Sequence, residues 1–298
     1  MSAVVRGFLD LPWSKAKELV SSGRVRVDGE LVFDPAERVK GGAVVELDPT
    51  GPRRKAEALE PERILHVDHD IVVVNKPPGV VTVPFDDAEK AHDRHSLLAR
   101  TRQALKLMQR KSGQKVVDGL GVVQRLDKDT TGVLVFARTH AARKRLQAQL
   151  RVHSILRHYL AIACGDVREQ RIETYIVPDR GDGRRGSWRG SGKPPKLAKK
   201  AITEVIRLQE LQGASLVRCS LETGRQHQIR IHLSEAGHPL VGEKVYRHGA
   251  PPADLPRAPR PMLHAASLGF RHPAHDRPVQ FEVPLPADFE HTLQSLIS

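Results

Sequence analysis

Two short runs of this chain gather side chains that could do chemistry. The first, Gln124-Arg125-Leu126-Asp127-Lys128-Asp129-Thr130-Thr131-Gly132, ends where an apolar stretch from Val133 to Ala137 begins. Carboxylates and hydroxyls at the start of a strand ordinarily cap backbone N–H groups in an Asx-turn. The alternative is that one carboxylate reacts, attacking an electrophilic carbon or removing a proton while a nearby guanidinium keeps it ionised. A paired-carboxylate scheme that activates water would need Asp129, and a position two residues further along a turn is poor geometry for such a pair.

The second run extends from Leu221 to Pro239 and holds Arg225, His227, Arg230 and His232. Ile229, Leu233 and Ala236 fall at i, i+4 and i+7, and Gly237 and Pro239 are stop signals. This pattern predicts a helix with Arg225 and His227 in its first turn. A cation there opposes the helix dipole by roughly 0.3–1 kcal/mol, so it is easiest to explain if it answers an anion, either a phosphate or a buried carboxylate. His227 and His232 stand five apart, off the shared face of a helical zinc pair, so no metal is expected. A third, weaker segment is Arg157-His158-Tyr159-Leu160-Ala161, whose tyrosine opens a strand, a position that by itself usually belongs to a core or an interface.

These runs need a scaffold, and the patterning outlines one. In residues 9–47, Ser14 is placed to cap a helix whose apolar face is Ala16, Leu19 and Val20 and whose stop is Gly23. Val25 and Val27 then alternate with Arg24 and Arg26 up to Asp28-Gly29, a hairpin turn signal. The helix and hairpin bring Lys15, Lys17, Arg24 and Arg26 near one another. Residues 48–62 read as a linker, rich in proline and charge without an apolar period. Beyond it, two β-branched stretches flank Asn75-Lys76-Pro77-Pro78-Gly79 and predict strand, turn and strand. A helix is expected over 96–108, a strand over 132–138, and a helix carrying Ala142, Leu146 and Leu150, while residues 178–200 read as a basic loop. Strands and helices mix without regular βαβ alternation, which predicts an α+β fold with a mixed, largely antiparallel sheet. The domains are expected at 1–58 and 59–298.

Composition narrows the class of partner. The 298 residues carry 48 Lys and Arg against 35 Asp and Glu, a formal charge of +13, with 39% hydrophobic residues. That is the composition of a folded chain whose partner is polyanionic. No run approaches the ~20 apolar residues of a membrane span, and the N-terminus lacks a signal-peptide core, so a cytoplasmic protein that does not enter membranes is expected. Cys164 and Cys219 stand alone, which predicts buried thiols rather than a disulfide framework.

The first run resembles the RLDxxTSG signature of the pseudouridine synthase family that modifies uridines in ribosomal and transfer RNA, with Gln124 in place of the more usual histidine and Thr131 in place of serine. The second is similar, nearly letter for letter, to that family's LxTGRxHQIRxHLxxxGHP motif. Arg157 to Ala161 is similar to its KxYxA segment, and further partial matches occur at Asn75-Lys76-Pro77, at Ala201 and Thr203, and at Met262 to Ala265 with His272-Pro273. Together they span residues 64–289 in the family's order. Residues 9–47 resemble the S4 RNA-binding module.

The resemblance implies a cofactor-free isomerase with Asp127 as the catalytic acid, Arg225 as its salt-bridge partner and Tyr159 stacked on the flipped uracil. Arg125 would enter the space left by the base. Gln124, Lys15, Lys17, Arg24, Arg26, Lys76, Arg157, His227 and Arg230 complete the expected RNA contacts. A monomer acting on large-subunit ribosomal RNA rather than transfer RNA is expected. The competing reading is a non-catalytic S4-type binding or ribosome-assembly protein.

Overall fold

The computed structural model describes the chain except residues 34, 36, 51–56, 85–94, 112–118, 249–254 and 298; the middle of the expected linker thus lies outside the described residues. The chain divides into two compact units, residues 1–62 with 80–120, and residues 63–79 with 121–298.

The first unit opens with helices α1 (Ser2–Leu9) and α2 (Trp13–Ser21), followed by β1 (Val25–Val27), β2 (Glu30–Val32) and β3 (Val45–Leu47) in the order β2-β1-β3. Helix α2 starts before Ser14, with Pro12 at its N-cap and no side-chain cap bond, so the serine does not cap it. The turn between β1 and β2 has positive φ at both Asp28 (50°) and Gly29 (80°), the conformation that an Asp-Gly hairpin signal demands. Ala16, Leu19, Val20 and Val25 pack with Met1 and Val5 into a small core. Lys15 is exposed and pairs with Glu18 at 3.0 Å, while Arg26 donates to the Gly29 carbonyl at 2.6 Å. This unit also contains α3 (Leu97–Lys111), where 96–108 was the expected helix; Leu97, Ala104 and Leu105 are buried.

The second unit is built on an 11-stranded sheet. Its strands are β4 (Ile64–Val67), β5 (Ile71–Lys76), β6 (Gly121–Val122), β7 (Thr131–Ala137), β8 (Leu156–Cys164), β9 (Gln170–Val177), β10 (Gly186–Ser187), β11 (Lys199–Leu211), β12 (Ala214–Leu221), β13 (Leu263–Arg271) and β14 (Pro278–Glu282). The main path runs β10-β9-β11-β12-β8-β13-β7-β5-β4, antiparallel throughout except that β13 runs parallel to β7. The strand expected after Pro77-Pro78-Gly79 does not form. Instead the stretch before it folds back on itself, because Asp68 accepts the N–H groups of Asp70 (2.7 Å) and Ile71 (2.8 Å) and turns β4 into β5.

Strand β7 is buried along its whole length, as a continuous apolar run flanked on both sides by strands must be. Its start is crowded: a Cβ at Gly132, where φ is +116°, would lie 2.2 Å from the Ala265 carbonyl oxygen on β13, so only glycine lets the two strands approach. Helix α4 (His140–Arg151) is capped by Thr139, which accepts the Ala142 N–H at 3.1 Å, and it buries Ala142 and Leu146 against Ile71, Val73, Val133 and Val135. A second cluster joins Ile162, Cys164, Met262 and Phe289, the last from α6 (Ala287–Gln294). Both cysteines are free and buried, and burial pushes their thiols up, Cys164 to about 11 and Cys219 to about 12. Among the described residues no helix is long and apolar enough to cross a membrane.

Candidate active site

The turn that presents Asp127 is held through its own backbone. Thr130 N–H donates to the Asp127 carbonyl at 3.2 Å. The fully buried Lys76 at the end of β5 donates from Nζ to the carbonyls of Pro77 (3.0 Å), Lys128 (2.7 Å) and Thr130 (2.9 Å). Arg260, equally buried, donates from Nη1 to the Asp129 carbonyl at 3.0 Å and grips Asp288 with Nε (2.6 Å) and Nη2 (2.9 Å). Thr131 Oγ1 lies 2.8 Å from His264 Nδ1. Three successive carbonyls after Asp127 are therefore each bound by a buried cation, which leaves the carboxylate of Asp127, 23% exposed, free of any structural duty in the turn. Burial pulls the Lys76 ammonium down to about 7, against the charges of Asp129 and Asp127.

Lys76, expected among the RNA contacts, is buried on backbone carbonyls, two of them over fifty residues away and beyond the reach of any local pattern. The same correction applies to Arg157. It is buried, and its Nη2 donates to the carbonyls of Leu221 (3.0 Å) and Glu222 (2.8 Å), fixing the loop that leads into the second motif.

Facing Asp127 are two side chains from that motif. Arg230 Nη1 is 3.5 Å from Oδ2, and His227 Nε2 is 3.8 Å from Oδ1. The resemblance places both among RNA contacts and makes Arg225 the partner of the acid; in the structure it is Arg230 and His227 that face Asp127, and Arg225 bonds elsewhere. Helix α5 (Gln228–Glu235) begins later than its apolar spacing suggests, with His227 as N-cap at φ 60°. The buried Gln228 explains the delay. Its Oε1 accepts from Thr223 Oγ1 (2.8 Å) and Arg225 N–H (3.0 Å), while its Nε2 donates to the Ile202 carbonyl and to Thr203 Oγ1, each at 2.9 Å. These bonds pin the 223–228 loop to β11, and Arg225 ends up exposed, with Nε on the Lys200 carbonyl at 2.8 Å. The cation that opposes the helix dipole is Arg230, and its anions are carboxylates.

The second of those carboxylates is Glu243. Arg230 donates to it from Nε (2.7 Å) and Nη2 (2.8 Å), a bidentate pair whose glutamate side chain is 1% exposed. Burial disfavours the charge of Arg230, but the bonds and charge of Glu243 outweigh it and hold the guanidinium above its ordinary value. Burial likewise works against the Glu243 charge, and Arg230 more than offsets it, keeping the carboxyl below its ordinary value. His227 Nδ1 lies 2.6 Å from the Tyr246 hydroxyl, and burial lowers this imidazole's pKa so that the neutral ring faces Asp127. The Arg230 guanidinium also sits 5.2 Å from the centroid of the Tyr246 ring.

Tyr159 lies on β8 in register with Cys219 and Ala265 and is 9% exposed. Burial pushes its phenol up to about 12; Arg157 opposes the shift and the charge of Asp127 adds to it. Asp127, Arg230, His227 and Tyr159 therefore meet electrostatically, while Arg125 is exposed and Gln124 partly so. Sequence reasoning missed Glu243, Tyr246 and Arg260. The first two follow the stop signals of the helix, and Arg260 acts across 131 residues of chain, so none carries a local signal.

Among the described residues, His66, Asp68 and His272 bring ligand-type atoms within 4.8 Å of one another. Both imidazole Nε2 atoms lie 2.8 Å from Asp68 Oδ2. His272 Nδ1 accepts the Ala274 N–H at 3.2 Å, so its ring proton sits on Nε2 and points at Asp68. A metal would need that lone pair, and the arrangement is a hydrogen-bonded tie between the β4–β5 turn and the segment after β13.

Residues 70–235 match the family model described as RNA pseudouridylate synthase, and residues 8–45 match that of the S4 domain. The chain is 35% identical over 292 residues to the ribosomal large subunit pseudouridine synthase D of Zymomonas mobilis, covering 95% of this chain and 89% of that protein. It is also 35% identical to the protein of that name from Pseudomonas aeruginosa, with 91% and 83% covered. The solved structure of human RNA pseudouridylate synthase domain containing 4 shares the fold, with a TM-score of 0.61 at 24% identity over 78% of this chain and 92% of that one.

Proposed function

The chain belongs to the RNA pseudouridylate synthase family, whose members are isomerases, and from that premise we propose that it converts uridines of large-subunit ribosomal RNA to pseudouridine with Asp127 as the reacting group. In that isomerisation the bond between N1 and C1′ breaks, C1′ bonds to C5, the proton on C5 leaves and N1 gains one. No electrons are exchanged, and one carboxylate suffices, attacking C1′ or C6 or acting as a base at C2′.

The observation that carries this reading is the placement of Asp127: its turn is fixed by backbone carbonyls on Lys76 and Arg260, and its carboxylate meets Arg230 and His227. A protein that only bound RNA would have no use for an acid so prepared. A flipped base costs a few kcal/mol to extract, and stacking on Tyr159 with Arg125 filling the gap would offset it. Lys15, Lys17, Arg24 and Arg26 of the S4 domain, together with the basic 178–200 segment, would hold phosphates without reading sequence. Gln124 stands beside Arg125 and is assigned to the same RNA surface. The 1–58 and 59–298 division is kept as a functional one, with binding in the first part and chemistry in the second.

The test is release of tritium from C5-labelled uridine in an unmodified large-subunit ribosomal RNA transcript. The wild-type chain is expected to release it and Asp127→Asn to release none while RNA affinity stays within a few-fold. Turnover by Asp127→Asn would remove Asp127 from the reaction. Mapping pseudouridines in ribosomal and transfer RNA from cells lacking the gene identifies the substrate, and a loss confined to transfer RNA would overturn the ribosomal assignment.

A further inference from the structure

An arginine that only neutralised Asp127 would present a fork of two N–H groups to it, since bidentate pairing is the strongest arrangement a guanidinium and a carboxylate can make. Arg230 does not. Its Nε–Nη2 edge is taken by Glu243 at 2.7 and 2.8 Å, and only Nη1 is turned to Asp127, at 3.5 Å. That distance is outside the range of a normal hydrogen bond, so Asp127 has a counter-charge nearby while its lone pairs stay free.

Glu243 cannot swing away from this position. Its Oε1 also accepts the N–H groups of Lys244 (3.0 Å), Val245 (2.9 Å) and Tyr246 (3.3 Å). The preceding residue, Gly242, has φ +82°, and a Cβ there would stand 2.0 Å from the Arg260 carbonyl oxygen. Arg260 is the residue whose guanidinium holds the Asp129 carbonyl, so the loop that carries Glu243 packs on the backbone, and the turn that carries Asp127 on the side chain, of one residue. The loop also supplies Tyr246, which meets the ring nitrogen of His227 remote from Asp127. Both groups that face Asp127 are thus set from residues 242–246.

We propose that Glu243 is a positioning residue for the isomerisation: by occupying the forked edge of Arg230 it limits that guanidinium to a single end-on approach, which keeps Asp127 charged yet free to react. The proposal rests on the reading of Asp127 above. Without a charge on residue 243 the guanidinium is released to close its fork on Asp127 and occupy the lone pairs the reaction needs. Glutamine at 243 would keep an oxygen for the backbone N–H groups but would oppose an amide N–H₂ to an N–H of Arg230.

The experiment uses the full chain and single-turnover tritium release at saturating RNA, with RNA affinity and thermal unfolding measured in parallel. Glu243→Gln is expected to slow release at least tenfold with affinity within twofold of wild type, and Glu243→Asp, which restores the charge, to recover part of the rate. In an Arg230→Lys background, where no fork exists, Glu243→Gln is expected to add less than a twofold further loss. Wild-type rate in Glu243→Gln, a loss that appears only in affinity, or full additivity with Arg230→Lys would each overturn the proposal. If Glu243→Gln does not fold, the same comparison is made with Glu243→Asp, and additivity there overturns it equally. Failure of the wild-type chain to release tritium would instead refute the reading of Asp127, so the two failures are distinguishable.

Discussion

The cations on the two sides of Asp127 do different work. Behind the turn, Lys76 and Arg260 are buried and bind backbone carbonyls, and Arg157 does the same for the loop leading to the second motif. In front, Arg230 engages carboxylates, one of them Asp127, the proposed reacting acid. A cation on carbonyls replaces lost hydration and fixes a backbone shape, whereas a cation on a carboxylate sets the charge available for chemistry. Removing a member of the first group should therefore appear in stability with the rate of the folded protein kept, and removing one of the second in that rate as well.

The largest expected effect is behind the turn. Arg260→Met leaves Asp288, whose side chain is 26% exposed, without its partner and orphans the Asp129 carbonyl, and with one partner only partly buried the cost falls at or below the lower end of the roughly 3–5 kcal/mol of a broken buried pair. Urea denaturation should show a loss of that order. A stable Arg260→Met protein with impaired turnover would place this residue with the chemical cations and break the distinction.

The separation of the two groups was only half legible in the sequence. Asp127 and Tyr159 stand in dense motifs and come close together in the structure, and the mixed, largely antiparallel sheet followed from the absence of βαβ alternation. Lys76, in the Asn75-Lys76-Pro77 match, and Arg157, beside Tyr159, look like phosphate contacts because a lysine or arginine in a motif says nothing of its burial. Their carbonyl partners come from turns 52 and 64 residues further along the chain. Arg225 and Arg230 differ by five positions within one motif, and the helix spacing did not decide between them; the decision lies in the side-chain amide of Gln228, which ties the loop to β11.

In front of the turn, Arg230→Ala strands Glu243, whose side chain is 1% exposed, and so costs stability too, but unlike Arg260→Met it should also reduce the single-turnover rate of the folded protein by about 10²–10³, the usual scale for losing one electrostatic group aimed at a reaction centre. The slope of log RNA affinity against log salt should not change, because Arg230 is engaged with carboxylates rather than phosphate. A slope reduced by about one unit with an intact rate would move Arg230 to the RNA surface.

A pH titration sharpens the contrast without a change of chemistry. His264, behind the turn, is held neutral between Thr131 Oγ1 and the Val283 carbonyl, and burial lowers its pKa from 6.5 to about 4. The unfolded chain binds this proton from pH 6.5 downward and the folded chain only near 4, so stability is full above 6.5 and falls as pH drops through that window. The contribution is at most about 3.5 kcal/mol, at roughly 1.4 kcal/mol per unit. His264→Gln should flatten the dependence of unfolding free energy on pH between 4 and 6.5. His232, buried on α5 and also lowered to about 4, adds a slope of the same sign that the His264→Gln variant retains. An undiminished slope in His264→Gln would show that His264 is protonated in the folded state.

The smallest effect is expected at Arg225, and it decides whether a motif arginine can be neither structural nor chemical. Its single bond, from Nε to the Lys200 carbonyl at 2.8 Å, is exposed, so losing it should change stability by no more than about 1 kcal/mol. Among the described residues it pairs with no carboxylate, and Arg225→Ala should leave the single-turnover rate at saturating RNA within threefold. What the side chain does have is an unburied guanidinium, beside Lys200, in the loop that enters the helix carrying Arg230. If that guanidinium meets a phosphate of the bound RNA, Arg225→Ala weakens affinity and reduces the salt slope by about one unit, and the loss in affinity vanishes at high salt. A large loss of rate at saturating RNA with an unchanged salt slope would instead return Arg225 to Asp127 in the bound state, with the guanidinium leaving the Lys200 carbonyl when RNA arrives.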